Sequence, residues 1–204
     1  VRNRAKEPPQ KAARKVLLRD KRVRQPSWRR SFLAPTLQWG DKAHVYPLEV
    51  LSNILGGGAS SRLYRRLVVE NKIAISSGAY YSGDDRGPGR FVFYASPRGN
   101  VTMDALEKAV EAEISDIILN GISADEVLRA KERMVAEAVY ARDSLSGGAR
   151  ALGAALASGL SVDDVESWPD NIAAVTAEQI NEAAKALFDN NRSVTGLLLP
   201  ANEG

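Results

Sequence analysis

The stretch ILGGGASSRLYRRL, residues 54–67, joins a run of apolar residues to a run of arginines through three consecutive glycines. A phosphate loop of the Walker type requires Gly, four residues and then Gly-Lys-Ser/Thr, and a dinucleotide fingerprint requires Gly-x-Gly-x-x-Gly directly after a strand. Neither pattern is present. The glycines follow a segment of helical periodicity, and the two serines after them are natural N-caps for a second helix. The stretch therefore predicts a hinge between two helices, formed by Gly56, Gly57 and Gly58.

Patterns on either side of the glycines predict strands, then helices, then strands, many helices and a last strand. Strands are predicted near residues 15–20 and 27–35, an antiparallel pair in IAISSGAYYSG and GRFVFYASP, and a closing strand in RSVTGLLLP. Thr102 and Gly121 bound one helix, and Ser123 with Glu126 forms a capping box for the next. This order indicates an α+β fold, a two-layer sandwich of a mostly antiparallel sheet with helices packed on one face.

Charge is distributed unevenly along the chain. Residues 1–30 contain twelve Lys or Arg and two acidic residues, whereas the other 174 residues contain 16 basic and 23 acidic ones. A basic arm is typical of nucleic-acid or lipid binding, but also of a solvated linker. No aromatic residue precedes Trp28, so the stacking groups of single-strand binders are missing. We therefore interpret residues 1–25 as a basic interdomain linker with the first edge strand, and residues 26–204 as a single α+β domain that binds no nucleic acid.

The residues for a self-sufficient active site are missing from the sequence. The chain has no cysteine and one histidine, His44, whereas a catalytic zinc site needs three protein ligands, commonly His and Glu. No serine lies in a Gly-x-Ser-x-Gly elbow. We predict no catalytic residue, no metal and no cofactor in this chain. The sequence also lacks an apolar run of about 18 residues, which predicts a soluble chain without a membrane span and leaves bacterial cytoplasm and periplasm open as compartments.

Four stretches together resemble the C-terminal half of pitrilysin/insulinase-family zinc metallopeptidases: LEVLSNILGGGASSRLYRRLVVENK, ISSGAYYSG, GRFVFYASP and ALEKAVEAEISDIILNGISADEVLRAKERMVAEAVYARDSLSGGARALG. This family includes the mitochondrial processing peptidase and the core subunits of the respiratory bc1 complex. The resemblance implies a clamshell of two similar α+β domains, of which the N-terminal one carries an inverted His-x-x-Glu-His zinc motif and the C-terminal one carries none. This chain would then enclose an unfolded peptide opposite a zinc-bearing N-terminal half or partner chain, and would be inactive in isolation.

The resemblance also points to candidate substrate-binding residues. Many family members carry an Arg and, seven residues later, a Tyr in this domain that reach toward the bound peptide. Aligned on Ser-Arg-Leu, this chain has Val68 and Ile75 at those places. The nearest substitutes lie on the same helix and on the following strand, and these are the candidates Arg65, Arg66, Tyr80 and Tyr81.

Two functional classes remain open from the sequence. The first is the substrate-enclosing half of an active peptidase, in which an extended peptide adds to an exposed sheet edge. The second is a non-enzymatic scaffold or assembly subunit of the same fold, which would not need the Arg/Tyr pair. A zinc motif in the preceding residues or in a neighbouring chain would support the first class.

Overall fold

The fold is built on one five-stranded sheet. The computed structural model describes residue 8, residues 10–142 and residues 146–201, with only the backbone of residues 141 and 142. The strand order is β1-β5-β2-β4-β3. All neighbouring strands are antiparallel except β1 and β5, which are parallel, so the predicted mostly antiparallel sheet is confirmed. The strands are β1 (Arg14–Asp20), β2 (Ser27–Ala34), β3 (Ala74–Ser82), β4 (Gly89–Pro97) and β5 (Ser193–Pro200).

The helices lie between β2 and β3 and between β4 and β5. In the described part of the chain, no helix is both long enough and apolar enough to span a membrane. Short 3-10 turns lie at Lys42–His44 and Asn190–Arg192, and a π-helix lies at Tyr64–Glu70. The α-helices are α1 (Val45–Gly56), α2 (Met103–Asn120), α3 (Ala124–Arg142), α4 (Gly147–Ser158), α5 (Val162–Glu166), α6 (Trp168–Ala174) and α7 (Ala177–Leu187).

The helices cover one face of the sheet, as the sequence predicts. Along β2, Trp28 and Phe32 are buried whereas Arg29 between them is exposed, because successive strand side chains point to opposite faces. The covered face carries an aromatic cluster. The rings of Phe32, Phe91 and Phe93 on the sheet and Phe188 after α7 meet at centroid distances of 5.1–6.2 Å. The α+β two-layer prediction is confirmed.

Arg30 of β2 is a charged side chain buried between the sheet and α2. Arg30 is 5 % exposed and stacks on Trp28, with the guanidinium carbon 5.2 Å from the ring centroid. Its Nε donates to Thr195 at 2.9 Å, and its Nη2 donates to Glu111 at 2.8 Å and to Glu107 at 3.2 Å. A buried guanidinium is tolerated only when hydrogen bonds and opposite charges compensate for its desolvation. These bonds provide that compensation, and they also link β2 to β5 and α2.

Most predicted helix ends match the structure. The Thr102 hydroxyl accepts from the backbone N–H of Ala105 at 3.2 Å, and Gly121 ends α2 with φ +76°. Ser123 and Glu126 form the expected reciprocal capping box. Residues 1–7 and 9 of the predicted linker lie outside the described residues. β1 pairs with β5 along its whole length, and the domain boundary near residue 25 stays a prediction.

The helix after the glycines differs from the prediction. It widens into a π-helix, in which the N–H of Asn71 donates to the carbonyl of Arg66 at 2.9 Å, five residues back. Of the two serines expected to cap this helix, Ser61 takes the backbone N-cap position, because its carbonyl accepts from the N–H of Arg65 at 2.9 Å. Its hydroxyl does not cap the helix, since it is buried without a hydrogen-bond partner among the described residues, in a side chain that is 3 % exposed.

Candidate functional site

Two adjoining cavities of about 880 Å³ and 470 Å³ form a groove among the described residues. Both are lined by Glu49, Tyr81, Ala138 and Trp168. The larger one extends along α4 and α5, and the smaller one extends toward the C-terminal end of α1 and β3. We refer to the two together as the acidic groove.

Helix α1 carries the central residue of this groove. Its apolar side packs into the core through Leu48, Leu51 and Leu55, each 0 % exposed. Glu49 is the only charged residue of α1 and lines both cavities. The apolar periodicity that buries one side of the helix therefore leaves Glu49 on the side that faces the groove.

Gly56 allows α1 to end directly against β3. A Cβ at this position would lie 2.0 Å from the carbonyl oxygen and 2.4 Å from the amide nitrogen of Ala79. Gly58 has φ +96°, a left-handed conformation that favours glycine. The first glycine is thus required by a close backbone approach and the third by its φ angle. The hinge role of Gly56, Gly57 and Gly58 stays a prediction.

The Glu49 carboxylate sits in a partly desolvated environment. Its Oε1 accepts a hydrogen bond of 2.9 Å from Nε1 of Trp168 on α6. Burial raises the pKa of Glu49 to about 7; the indole hydrogen bond opposes this rise, and the charge of Asp84 adds to it. A carboxyl group with this pKa changes its protonation near neutral pH.

Aromatic side chains form walls around Glu49. Tyr81 Oη donates to the carbonyl of Pro35 at 2.5 Å, and burial raises the pKa of this phenol. Tyr46 Oη accepts from the side-chain amide of Asn171 at 3.1 Å. These two hydrogen bonds fix rings that line the larger cavity, and Tyr80 lines the smaller one.

The charge lining the groove has one sign. Besides Glu49, the carboxylates of Asp84, Asp164 and Glu166 line the larger cavity and that of Glu137 lines the smaller one. No Lys, Arg or His is among the described residues that line either cavity. The groove therefore has an acidic and aromatic surface.

The structure separates the candidate substrate-binding residues into two places. Tyr80 and Tyr81 line the groove, together with Gly56 and Gly57. Neither candidate arginine lines either cavity. The substrate-binding role of all four candidates, Arg65, Arg66, Tyr80 and Tyr81, stays a prediction.

The arginines of the π-helix take part in ion pairs. Arg65 Nε lies 3.2 Å from Glu70, and Arg66 Nη1 lies 2.9 Å from both Glu113 and Asp116 on α2. Hydrogen bonds from Asn120 and Arg66 and the charge of the neighbouring Arg62 lower the pKa of Asp116 to about 2. The Arg65 pair lies within the π-helix, whereas the Arg66 pairs tie the π-helix to α2.

The positions of the Arg/Tyr pair have different surroundings here. Val68 is 7 % exposed and belongs to the hydrophobic core, whereas Ile75 is 45 % exposed on β3. Sequence reasoning missed Glu49, Asp84 and Trp168 as groove residues. A lone charge in an apolar helix was the available signal for Glu49, but nothing local connects it with Trp168, 119 positions later.

The donor set of the described residues does not fit a metal. No group of three or more His, Asp or Glu side chains in this part of the chain is arranged to hold a metal ion. His44 Nε2 lies 3.6 Å from Asp41, in the turn before α1, and does not line the groove.

The comparisons with known proteins agree with this architecture. Residues 1–134 match the family model described as the peptidase M16 inactive domain. An uncharacterized zinc protease of Bacillus subtilis, YmxG, is 25 % identical over 147 residues, which are 71 % of this chain and 35 % of that protein. The chain thus spans about a third of the length of this curated relative.

Two crystal structures show the same fold. A protease from Helicobacter pylori superposes with a TM-score of 0.87 at 22 % identity, over 96 % of this chain and 46 % of the other. A peptidase M16 inactive domain from Pseudomonas fluorescens gives a TM-score of 0.75 at 18 % identity, over 98 % of this chain and 46 % of the other. Since the family model covers well over half of the sequence, the chain belongs to the peptidase M16 inactive-domain family, the C-terminal type of domain in these zinc proteases.

Proposed function

We propose that this domain forms one wall of a chamber that encloses an unfolded peptide, opposite a zinc-bearing half that performs the hydrolysis. The observation that carries the proposal is the acidic groove, a large concavity in a domain whose described residues provide no metal-binding group. Membership in the inactive-domain family and the partial coverage of longer relatives support a role beside another domain.

The position of the groove suits an extended peptide. Ala79, Tyr80 and Tyr81 of β3 line it, and β3 is an edge strand, paired with β4 alone among the described strands. An extended chain placed beside such a strand gains main-chain hydrogen bonds that do not depend on its sequence. Side chains in the groove then add selectivity, and closure of this wall excludes water from the peptide.

Zinc, held in the other half, would polarise the scissile carbonyl and activate water. The residues of this chain would bind and orient the peptide. They touch no reacting atom in this proposal. Isolated, the 204-residue chain is therefore expected to cleave nothing.

The test combines this chain with its native zinc-bearing half. Hydrolysis of a fluorogenic peptide is measured for each half alone and for the mixture, with and without zinc and a chelator. We expect chelator-sensitive hydrolysis that requires both halves. Chelator-sensitive proteolysis by the pure 204-residue chain would contradict the proposal.

A second candidate is the scaffold subunit. It is favoured by the replacement of the Arg/Tyr pair by Val68 and Ile75, since a buried valine and an apolar residue cannot contact a peptide as those side chains do. In the same experiment, a stable complex of the two halves without any hydrolysis would support the scaffold. A zinc-bearing partner with its motif glutamate changed to glutamine serves as the inactive control.

A further inference from the structure

The carboxylate at the centre of the groove has no cationic partner among the described side chains, unlike other partly buried carboxylates of this chain. Glu107 lies 2.6 Å from Lys15, and Glu113 lies 2.9 Å from Arg66. No Lys, Arg or His of the described residues lies within 4.0 Å of Glu49. Arg133, the arginine that reaches α1, donates instead to Asn53, one turn further along the helix. No described side chain therefore supplies a countercharge to Glu49.

The geometry of Glu49 leaves one oxygen available. Trp168 donates to Oε1 and so holds the carboxylate in one orientation. Oε2 accepts no hydrogen bond from the described residues, although Glu49 lines both cavities. An acceptor of this kind in a partly desolvated site binds best to a charged donor, because charge-assisted hydrogen bonds are about twice as strong as neutral ones.

The remaining lining restricts the chemistry of the occupant. An anion would meet carboxylates and no basic residue among the described lining, and a purely apolar group would desolvate Glu49 without compensation. A bare metal ion is not favoured, because no three ligands converge in the described part of the chain. A guanidinium or ammonium on an alkyl stem satisfies the carboxylate and also packs against the rings of Trp168 and Tyr81.

We propose that the acidic groove receives a basic side chain of the bound peptide, with Glu49 as its ion-pair partner and Trp168 and Tyr81 as its walls. This inference rests on the proposed function, because it assigns a residue class to the peptide that the chamber encloses. The larger cavity, at about 880 Å³, holds such a side chain together with neighbouring residues of the peptide.

The experiment measures peptide binding to the 204-residue chain by isothermal titration calorimetry at pH 8. The probes are an acetylated, amidated hexapeptide of Ala and Ser with one central Arg, and the same peptide with citrulline, which keeps the shape and removes the charge. We expect the Arg peptide to bind about tenfold more tightly, the size of one charge-assisted contact. Glu49→Gln should abolish this preference, because the amide keeps an acceptor for Trp168 but carries no charge.

A matched variant controls for the loss of one negative charge. Glu182→Gln on α7 changes an exposed carboxylate that does not line the groove, and the Arg preference should remain. Near-ultraviolet circular dichroism and thermal unfolding show whether each variant is folded. A second groove variant, Glu49→Asp, should retain part of the preference because its charge remains.

Each outcome separates the inference from the proposed function. Equal binding of the Arg and citrulline peptides, or an unchanged preference in Glu49→Gln, would overturn the basic-side-chain site and leave the chamber wall intact. Absence of binding by both peptides would overturn the site and count against the enclosing function as well. Tight binding of the Arg peptide only after deletion of residues 1–12 would assign the groove to the basic arm of the chain itself and would overturn a peptide site.

Discussion

The indole N–H of Trp168 donates to Glu49 at 2.9 Å across 119 positions of sequence. This bond joins α6 to α1 and places a carboxylate between aromatic walls. Burial alone would drive Glu49 toward its neutral form, whereas the indole hydrogen bond favours the charged form. The protonation of Glu49 is therefore sensitive to its surroundings, and the stability of the folded domain should depend on pH through this one carboxyl group.

Glu49→Gln should change how stability depends on pH. The pKa of Glu49 is raised from 4.5 to about 7 in the folded chain, so the folded state binds the proton more tightly than the unfolded state. The resulting stability is fully present below pH 4.5 and is lost as the pH rises through 7. We expect the wild type to lose on the order of 3 kcal/mol across this window relative to Glu49→Gln, measured by urea unfolding. Parallel pH curves for the two proteins would contradict this pKa.

Gly56→Ala should destabilise the domain. The new Cβ would lie 2.0 Å from the Ala79 carbonyl, so α1 or β3 must move, at an expected cost of about 2 to 3 kcal/mol. Gly153→Ala in α4 is the control, since its Cβ would have no neighbour within 4 Å and alanine favours the helix by about 0.5 to 1 kcal/mol. Chemical denaturation compares the two, and equal midpoints would show that the close approach at Gly56 is absent.

Arg30→Ala should be among the more damaging substitutions in the sheet. It removes one of the two cations beside Glu107, which keeps Lys15 at 2.6 Å, and the cation beside Glu111, whose side chain is 40 % exposed. It also leaves the Thr195 hydroxyl without its donor from Arg30. Losing these charge-assisted hydrogen bonds costs about 2 to 3 kcal/mol. Arg29→Ala, on the exposed face of the same strand, should change the free energy of unfolding by less than about 0.5 kcal/mol. A loss at Arg30 no larger than at Arg29 would refute the role of this cluster.

Asp116→Asn should weaken the attachment of the π-helix to α2. The pKa of Asp116 is lowered from 3.8 to about 2, so its stabilising contribution is present above pH 3.8 and is lost as the pH falls through 2. Because the carboxylate is 27 % exposed and partly screened by solvent, we expect a loss of only about 1 kcal/mol at pH 7. The difference between the two proteins should vanish near pH 2. Asp104→Asn, in the first turn of the same helix, is the comparison variant.

Much of the fold could be predicted from local patterns. Alternation along β2, the N-cap at Thr102 and the stop at Gly121 depend on residues that are neighbours in sequence, so the order of strands and helices is legible without the structure. The periodicity of the sequence does not distinguish the π-helix from an α-helix, and the i to i+5 bond and the burial of Ser61 are evident only in the structure.

The residues that the sequence offers for substrate binding lie in two places. Tyr80 and Tyr81 line the groove, whereas Arg65 and Arg66 contact Glu70, Glu113 and Asp116 outside it. Their role in substrate binding stays a prediction. Periodicity gives the face on which a side chain lies, and it does not say which distant element that face will meet.

The sequence by itself determined the α+β class, the ends of the main helices and the lack of histidine and cysteine for a zinc site, because these follow from composition and from contacts within a few residues. The tertiary structure alone decided that β1 pairs in parallel with β5 at the far end of the chain, and that Trp168 meets Glu49 in a groove without a basic residue among its described lining. These last features depend on which distant surfaces pack together. Their energies come from burial and long-range pairing, which no local pattern of residues records.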